Sequence, residues 1–245
     1  VIVPILHEFK ADNVHNIVNH SEAKLLFVGD VVWENLDENA MPNLEGIVLV
    51  NDFSVLVSRS EKLTYAREHL NEMFGHKYPK NFRKEHINYH QDQPEEMLVL
   101  NYTSGTTSFS KGVMIPSRAL WSNVVFGQEK LSKILKAGDS VVSMLPMAHM
   151  YGLAFEFLYE FCNGCQVFFL TRMPSPKIIL QAFAEVKPKI VVAVPLIIEK
   201  IIKKNVLPKL ETPTMRLLLK VPFINDKIKA TVREEMIKGF GGNFA

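Results

Sequence analysis

Cysteine is scarce. The 245 residues hold two, and both fall in one short run, Cys162-Asn163-Gly164-Cys165. So few cannot build a disulfide framework, and a reducing compartment is the better fit. A surplus of one charge is also missing: the formal net charge is +2 and no arginine-rich block occurs. That removes the electrostatic footprint of a nucleic-acid binder. The longest apolar runs fall well short of a membrane span. No methionine and no basic segment precede Val1-Ile2-Val3-Pro4-Ile5, which excludes reading the start as a signal peptide. Internal repeats and low-complexity stretches are absent too. The chain begins and ends inside apparent secondary structure, which points to a piece of a longer protein.

What is present is a globular composition, 47% apolar and 22% charged, in a chain long enough for one large core or two small ones. Strand-like and helical patterns alternate along it. Val1–Ile5, Lys24–Val28, Glu45–Val50 and Met97–Tyr102 read as strands, with helices over Ala11–His20 and Glu61–Phe74. The stretch from Gly75 to Glu95 has no period and reads as loop. Beyond it, helices over Ser117–Leu135, Tyr151–Phe161, Lys177–Val186 and Leu196–Lys204 alternate with strands over Ser140–Leu145, Cys165–Leu170 and Lys189–Val194. The strands are nearly continuous β-branched runs, as when helices cover both faces of a sheet. The expectation is α/β, with largely parallel sheets flanked by helices. Two parts are expected, 1–95 and 96–245.

The second part opens on Tyr102-Thr103-Ser104-Gly105-Thr106-Thr107-Ser108-Phe109-Ser110-Lys111-Gly112-Val113. Six of its first seven residues are hydroxylic and the other is glycine, with a lone lysine following. A loop of this kind offers close-spaced backbone N–H groups, hydroxyls and one ammonium, the parts needed to hold a polyphosphate. It is not a Walker A loop, because Ser110 precedes Lys111 and Gly112 follows it.

This stretch resembles the signature loop of the adenylate-forming superfamily, whose pattern is about Tyr-Thr-Ser-Gly-Thr-Thr-Gly-x-Pro-Lys-Gly-Val. The departures are Ser108 for glycine and Ser110 for proline. A serine restricts φ and adds a Cβ where phosphate oxygens would approach, which points to weaker loop closure or turnover. A second segment, Leu145-Pro146-Met147-Ala148-His149-Met150-Tyr151-Gly152, resembles the family's Leu-Pro-x-x-His-x-x-Gly. Alone, its histidine would read as a helix cap. A third, Val194-Pro195-Leu196-Ile197-Ile198-Glu199-Lys200-Ile201, is similar to a segment of long-chain acyl-CoA synthetases. Read by itself, it is a strand end and an amphipathic helix with proline near its start.

The resemblance implies the large N-terminal domain of an AMP-forming ligase. ATP and a long-chain fatty acid would give an acyl-adenylate and pyrophosphate; coenzyme A would then displace AMP. Thr103, Ser104, Gly105, Thr106, Thr107, Ser108 and Lys111 would hold the ATP phosphates, through charge-assisted bonds of about 1.5–3 kcal/mol each. Thr106 would also serve Mg²⁺, and Lys111 and His149 would be catalytic. His149, Met150, Tyr151, Gly152, Val194 and Pro195 would line the acyl and pantetheine pocket. The family's adenine- and ribose-binding segments and its C-terminal domain follow the region matched here, so this stretch alone is expected to be inactive and to bind nucleotide weakly. Two alternatives stand beside a CoA ligase: a fatty acyl–carrier-protein ligase, and a degenerate module that binds acyl chains or nucleotide without chemistry.

Other candidates are weaker. The lone Cys-x-x-Cys reads as a turn after a helix rather than half of a zinc site. His86 and His90 lie in the non-periodic stretch without the glutamate of a zinc-protease helix. Lys200, Lys203 and Lys204 could meet anionic lipid, but a solvated helix face is the default. The resulting expectation is a cytoplasmic protein with small-molecule partners, no nucleic acid, and at most peripheral membrane contact.

Overall fold

A computed structural model describes residues 1–103, 111–205 and 207–243. The chain divides into two compact units, Val1–Arg118 and Ala119–Ala245.

In the first unit, α1 (Ala11–His20) buries Val14, Ile17 and Val18, the i, i+3, i+4 stripe of a helix laid on a core. Strand β1 (Leu25–Val28) is followed by the short helix α2 (Asp30–Trp33) and by β2 (Gly46–Leu49), which pairs parallel to β1. Strand β3 (Val55–Ser58) then turns back antiparallel to β2. Parallel pairing appears where a helix intervenes and antiparallel pairing where the link is short. Val14, Val18, Val28, Met41, Leu44 and Ile47 form the core. The Arg59 guanidinium donates to the carbonyls of Met41 and Glu38, each at 2.9 Å, and so fastens the crossover to the end of β3.

The helix expected over Glu61–Phe74 is two helices, α3 (Glu61–Glu68) and α4 (Leu70–Lys77), separated by His69. Neither buries a residue, so no packing energy opposes the break. Strands β4 (Met97–Thr103) and β5 (Lys111–Pro116) form an antiparallel hairpin. The strand expected at Val1–Ile5 is reduced to one parallel bridge: Ile2 N–H donates to Leu98 O at 2.8 Å, and Leu100 N–H donates to Ile2 O at 2.9 Å. Pro4 stands where the next ladder donor is required and has no N–H to give.

In the second unit, helix α5 (Ser117–Leu131), which begins two residues before the unit boundary, precedes β6 (Ser140–Ser143). One continuous helical stretch follows. It consists of α6 (Met150–Leu153), a π-helical turn at Ala154–Leu158, and α7 (Tyr159–Cys162). Strand β7 (Gln166–Phe169) returns parallel to β6. Helix α8 (Pro176–Val186) is capped by Ser175, whose Oγ accepts from Ile178 N–H, with proline at its first position. The strand expected at Lys189–Val194 is a single parallel bridge, Ile190 to Val141.

Four helices complete the unit: α9 (Pro195–Asn205), α10 (Leu207–Leu210), α11 (Pro213–Leu218) and α12 (Pro222–Gly239). Val142, Met144, Ile179, Phe183, Ile201 and Phe240 form the main core; Leu135, Val141 and Tyr159 form a second. No helix among the described residues is long and apolar enough to cross a membrane.

Candidate functional site

The hydroxyl-rich segment joins the two strands of the β4–β5 hairpin. Thr103 ends β4 and pairs across the ladder with Lys111, which begins β5. The segment therefore leaves and re-enters the sheet at facing backbone positions. Ser104, Gly105, Thr106, Thr107 and Ser108 lie outside the described residues, as do Phe109 and Ser110. Thr103 and Lys111 are described, and both are exposed.

The hairpin end is anchored from behind by Tyr102. Its ring is buried, and its hydroxyl lies 2.6 Å from Nδ1 of His20, the last residue of α1. The two rings meet edge to face at 5.7 Å. Burial raises the Tyr102 hydroxyl above its ordinary range, so it keeps its proton. Opposite Tyr102 stands Gly112, where an added Cβ would lie 3.1 Å from Leu100 Cδ1 and 3.3 Å from Tyr102 Cζ. The glycine after Lys111 thus gives the tyrosine ring its place.

In the second unit, the segment Leu145–Gly152 runs from the end of β6 into α6. His149 is exposed and caps α6: its Nδ1 accepts from Tyr151 N–H at 3.3 Å. Gly152 is buried, and a Cβ there would sit 2.8 Å from the Pro146 carbonyl oxygen. The helix start can press this closely on the strand exit only because residue 152 has no side chain. Tyr151 is 41% exposed and its ring stands 5.7 Å from Phe155; Phe155 meets Phe126 of α5, itself 52% exposed, at 6.1 Å. An aromatic cluster thus begins two residues after His149. Val194 is half-buried and Pro195 exposed at the start of α9. Met144, just past β6, shares a core with Ala193 and Ile197 on either side of that pair. The two segments expected to line one pocket thus rest on the same core.

The profile of the family described as AMP-binding enzymes matches residues 1–244. The chain belongs to that family. Among curated relatives, it is 26% identical over 247 residues to the long-chain-fatty-acid–CoA ligase 1 of Cavia porcellus, covering 97% of this chain and 34% of that protein. The chain thus spans about a third of the length of such relatives. Two solved structures share the fold. A red-emitting luciferase from Phrixothrix hirtus matches with a TM-score of 0.67 at 16% identity, over 84% of this chain and 38% of the luciferase. The anthranilate CoA ligase AuaEII, solved with anthranoyl-AMP, matches at 0.59 and 18% identity, over 77% of this chain and 34% of the ligase.

Two residues of this AMP-binding chain escaped the sequence reading. Glu156 and Glu160 are completely buried, one turn apart, in a helical run with no other charge from Met150 to Cys162. Glu156 Oε2 accepts from Met144 N–H at 2.9 Å, Leu145 N–H at 2.7 Å and Ser143 Oγ at 3.3 Å. Its Oε1 and both oxygens of Glu160 have no hydrogen-bond partner among the described residues. Burial pushes each carboxyl up to about 7. The sequence shows two acids in an otherwise apolar helical run but not which face is buried, and burial is what makes them costly.

Elsewhere, His90 pairs with Glu96 at 2.9 Å and lies 3.7 Å from Asp92. The hydrogen bond to Glu96 raises the His90 pKa and, reciprocally, lowers that of Glu96. His90, Asp92 and Glu96 are the described grouping that could hold a metal ion, but His90 and Asp92 are exposed. His86 is used differently: its Nδ1 accepts from Arg83 N–H at 2.8 Å. Cys162 ends α7, Gly164 sits at φ 73°, and Cys165 leads into β7. Both thiols are free.

Proposed function

We propose that the protein containing this chain activates a long-chain fatty acid with ATP and transfers the acyl group to coenzyme A. The observation that carries the phosphate half is the facing pair Thr103 and Lys111, between which the hydroxyl-rich residues are strung. In this reading Thr103, Ser104, Gly105, Thr106, Thr107, Ser108 and Lys111 hold the β- and γ-phosphates. A fatty acid carboxylate oxygen attacks the α-phosphorus, and the bond to pyrophosphate breaks. Carboxylate is a poor nucleophile, so the work lies in alignment and in neutralising charge on the departing group. Lys111 supplies a cation for that charge, and the hairpin fixes where its backbone starts. Thr106 is assigned to the Mg²⁺ that accompanies ATP.

The acyl half rests on His149, Met150, Tyr151, Gly152, Val194 and Pro195. The aromatic cluster of Tyr151, Phe155 and Phe126, which begins two residues after His149, suits an apolar acyl chain. The coenzyme A thiol, on losing its proton, attacks the acyl carbon, and AMP departs with the bonding electrons. We assign the long-chain substrate on the similarity to the Cavia porcellus ligase. In this reading the protein is cytoplasmic with possible peripheral membrane contact; on α9, Lys203 pairs with Glu199 at 2.6 Å.

Fatty-acid-dependent exchange of pyrophosphate into ATP by the full-length protein isolates the first step. Exchange with palmitate, followed by thioester formation on coenzyme A, supports a CoA ligase. Exchange with transfer only to a holo-carrier protein replaces the acceptor, and absence of exchange from a folded protein overturns the reading.

A further inference from the structure

Glu156 has no place in the roles assigned so far, yet it is the most heavily bonded side chain near the Leu145–Gly152 segment. Strand β6 ends at Ser143, so the N–H groups of Met144 and Leu145 have no ladder partner, and buried N–H groups must find one. One carboxylate oxygen of Glu156 takes both, together with the Ser143 hydroxyl. The side chain comes from a π-helical turn, seven residues beyond His149 in the chain. π-Turns recur at functional positions because they re-aim side chains within a helix.

The five residues from Leu145 to His149 are consequently held at both ends. At one end Glu156 holds Leu145 N–H; at the other, His149 N–H donates to Pro146 O at 2.9 Å while its ring caps α6. Building on the ligase reading, we propose that Glu156 is a positioning residue: its carboxylate oxygen sets where β6 ends and thereby where His149 stands against acyl chain and pantetheine. Glu160, one turn further on, is equally buried and makes no bond to β6. It provides an internal control.

The test uses the full-length protein with Glu156→Ala, Glu156→Gln and Glu160→Gln. The readouts are KM for fatty acid, coenzyme A and ATP, the melting temperature, and the His149 imidazole signal by NMR. A glutamine carbonyl can replace Oε2 while its NH₂ takes the unpartnered Oε1 position, so Glu156→Gln should remain close to the parent. Glu156→Ala should raise KM for fatty acid or coenzyme A by about tenfold or more, as misplacement of a site group does. It should leave KM for ATP unchanged and shift the His149 signal, whereas Glu160→Gln should leave every KM and the His149 signal as in the parent. Should the alanine variant fail to fold, Glu156→Asp keeps the acid but withdraws it by a methylene and should show the same split.

Folded Glu156→Ala or Glu156→Asp with an unmoved His149 signal and unchanged KM values would overturn the proposal. So would a glutamine variant as impaired as alanine. If the parent proves to have no ligase activity, the ligase reading fails on its own, and the His149 signal still decides whether Glu156 positions it.

Discussion

Replacing Glu160 with glutamine should stabilise the protein at pH 8 and leave its stability nearly unchanged at pH 4.5. The Glu160 carboxyl is fully buried without a hydrogen-bond partner, and burial moves its pKa from 4.5 to about 7, with repulsion from Glu156 adding to the shift. Below 4.5 the group holds its proton in both folded and unfolded chains, so pH has no leverage. Between 4.5 and about 7 the unfolded chain ionises while the folded one does not. Each pH unit there removes about 1.4 kcal/mol of stability. Across the interval that amounts to about 3 kcal/mol, and above 7 the loss levels off. Glutamine is neutral throughout and escapes the loss. For a chain of this size about 3 kcal/mol corresponds to roughly 6–12 °C in melting temperature. Thermal unfolding of parent and variant at pH 4.5 and pH 8 reads the difference directly. An equal shift at both pH values would refute the reasoning by showing no change of the Glu160 pKa on folding, and destabilisation at pH 8 would refute it by showing the group ionised and well partnered.

Two further outcomes follow from packing. A Cβ at Gly127 of α5 would fall 2.4 Å from Cδ2 of the fully buried Tyr159 ring, so Gly127→Ala should lower stability by about 1–3 kcal/mol despite alanine's better helix propensity; a urea-unfolding midpoint checks it. Tyr102→Phe removes the 2.6 Å contact with exposed His20 and should cost about 0.5–1 kcal/mol, because water can replace the lost partner. Amide hydrogen exchange along β4 should speed up in that variant.

Helix α1 was legible to the residue because its apolar stripe and its buried face coincide. Strand β3 was not: the turn before it places Phe53, rather than a glycine, at φ 59°, and the turn formers Asn51 and Asp52 beside it were left unread. The opening strand misled for the opposite reason: its composition is strand-like, but Pro4 stops the ladder after one bridge. Helix α12 buries no residue among those described, so it lacks the periodic face by which helices are read. At the candidate site, the hydroxyl-rich segment could be read from residue types alone, and so could a helix start at His149. Hidden was the pair Glu156 and Glu160, because a strip of residues from Met150 to Cys162 reads as ordinary helix until its inner face is known. The clamp on β6 is a long-range contact, eleven residues or more from carboxylate to backbone donor, and no local pattern encodes it.

The most direct measurement is palmitate-dependent AMP release from ATP by the full-length protein, with and without coenzyme A, in the parent and in Lys111→Ala. AMP that forms only with fatty acid, and is lost in Lys111→Ala while the fold is kept, is the predicted result. A folded parent that releases no AMP, or a Lys111→Ala variant as active as the parent, would contradict the account.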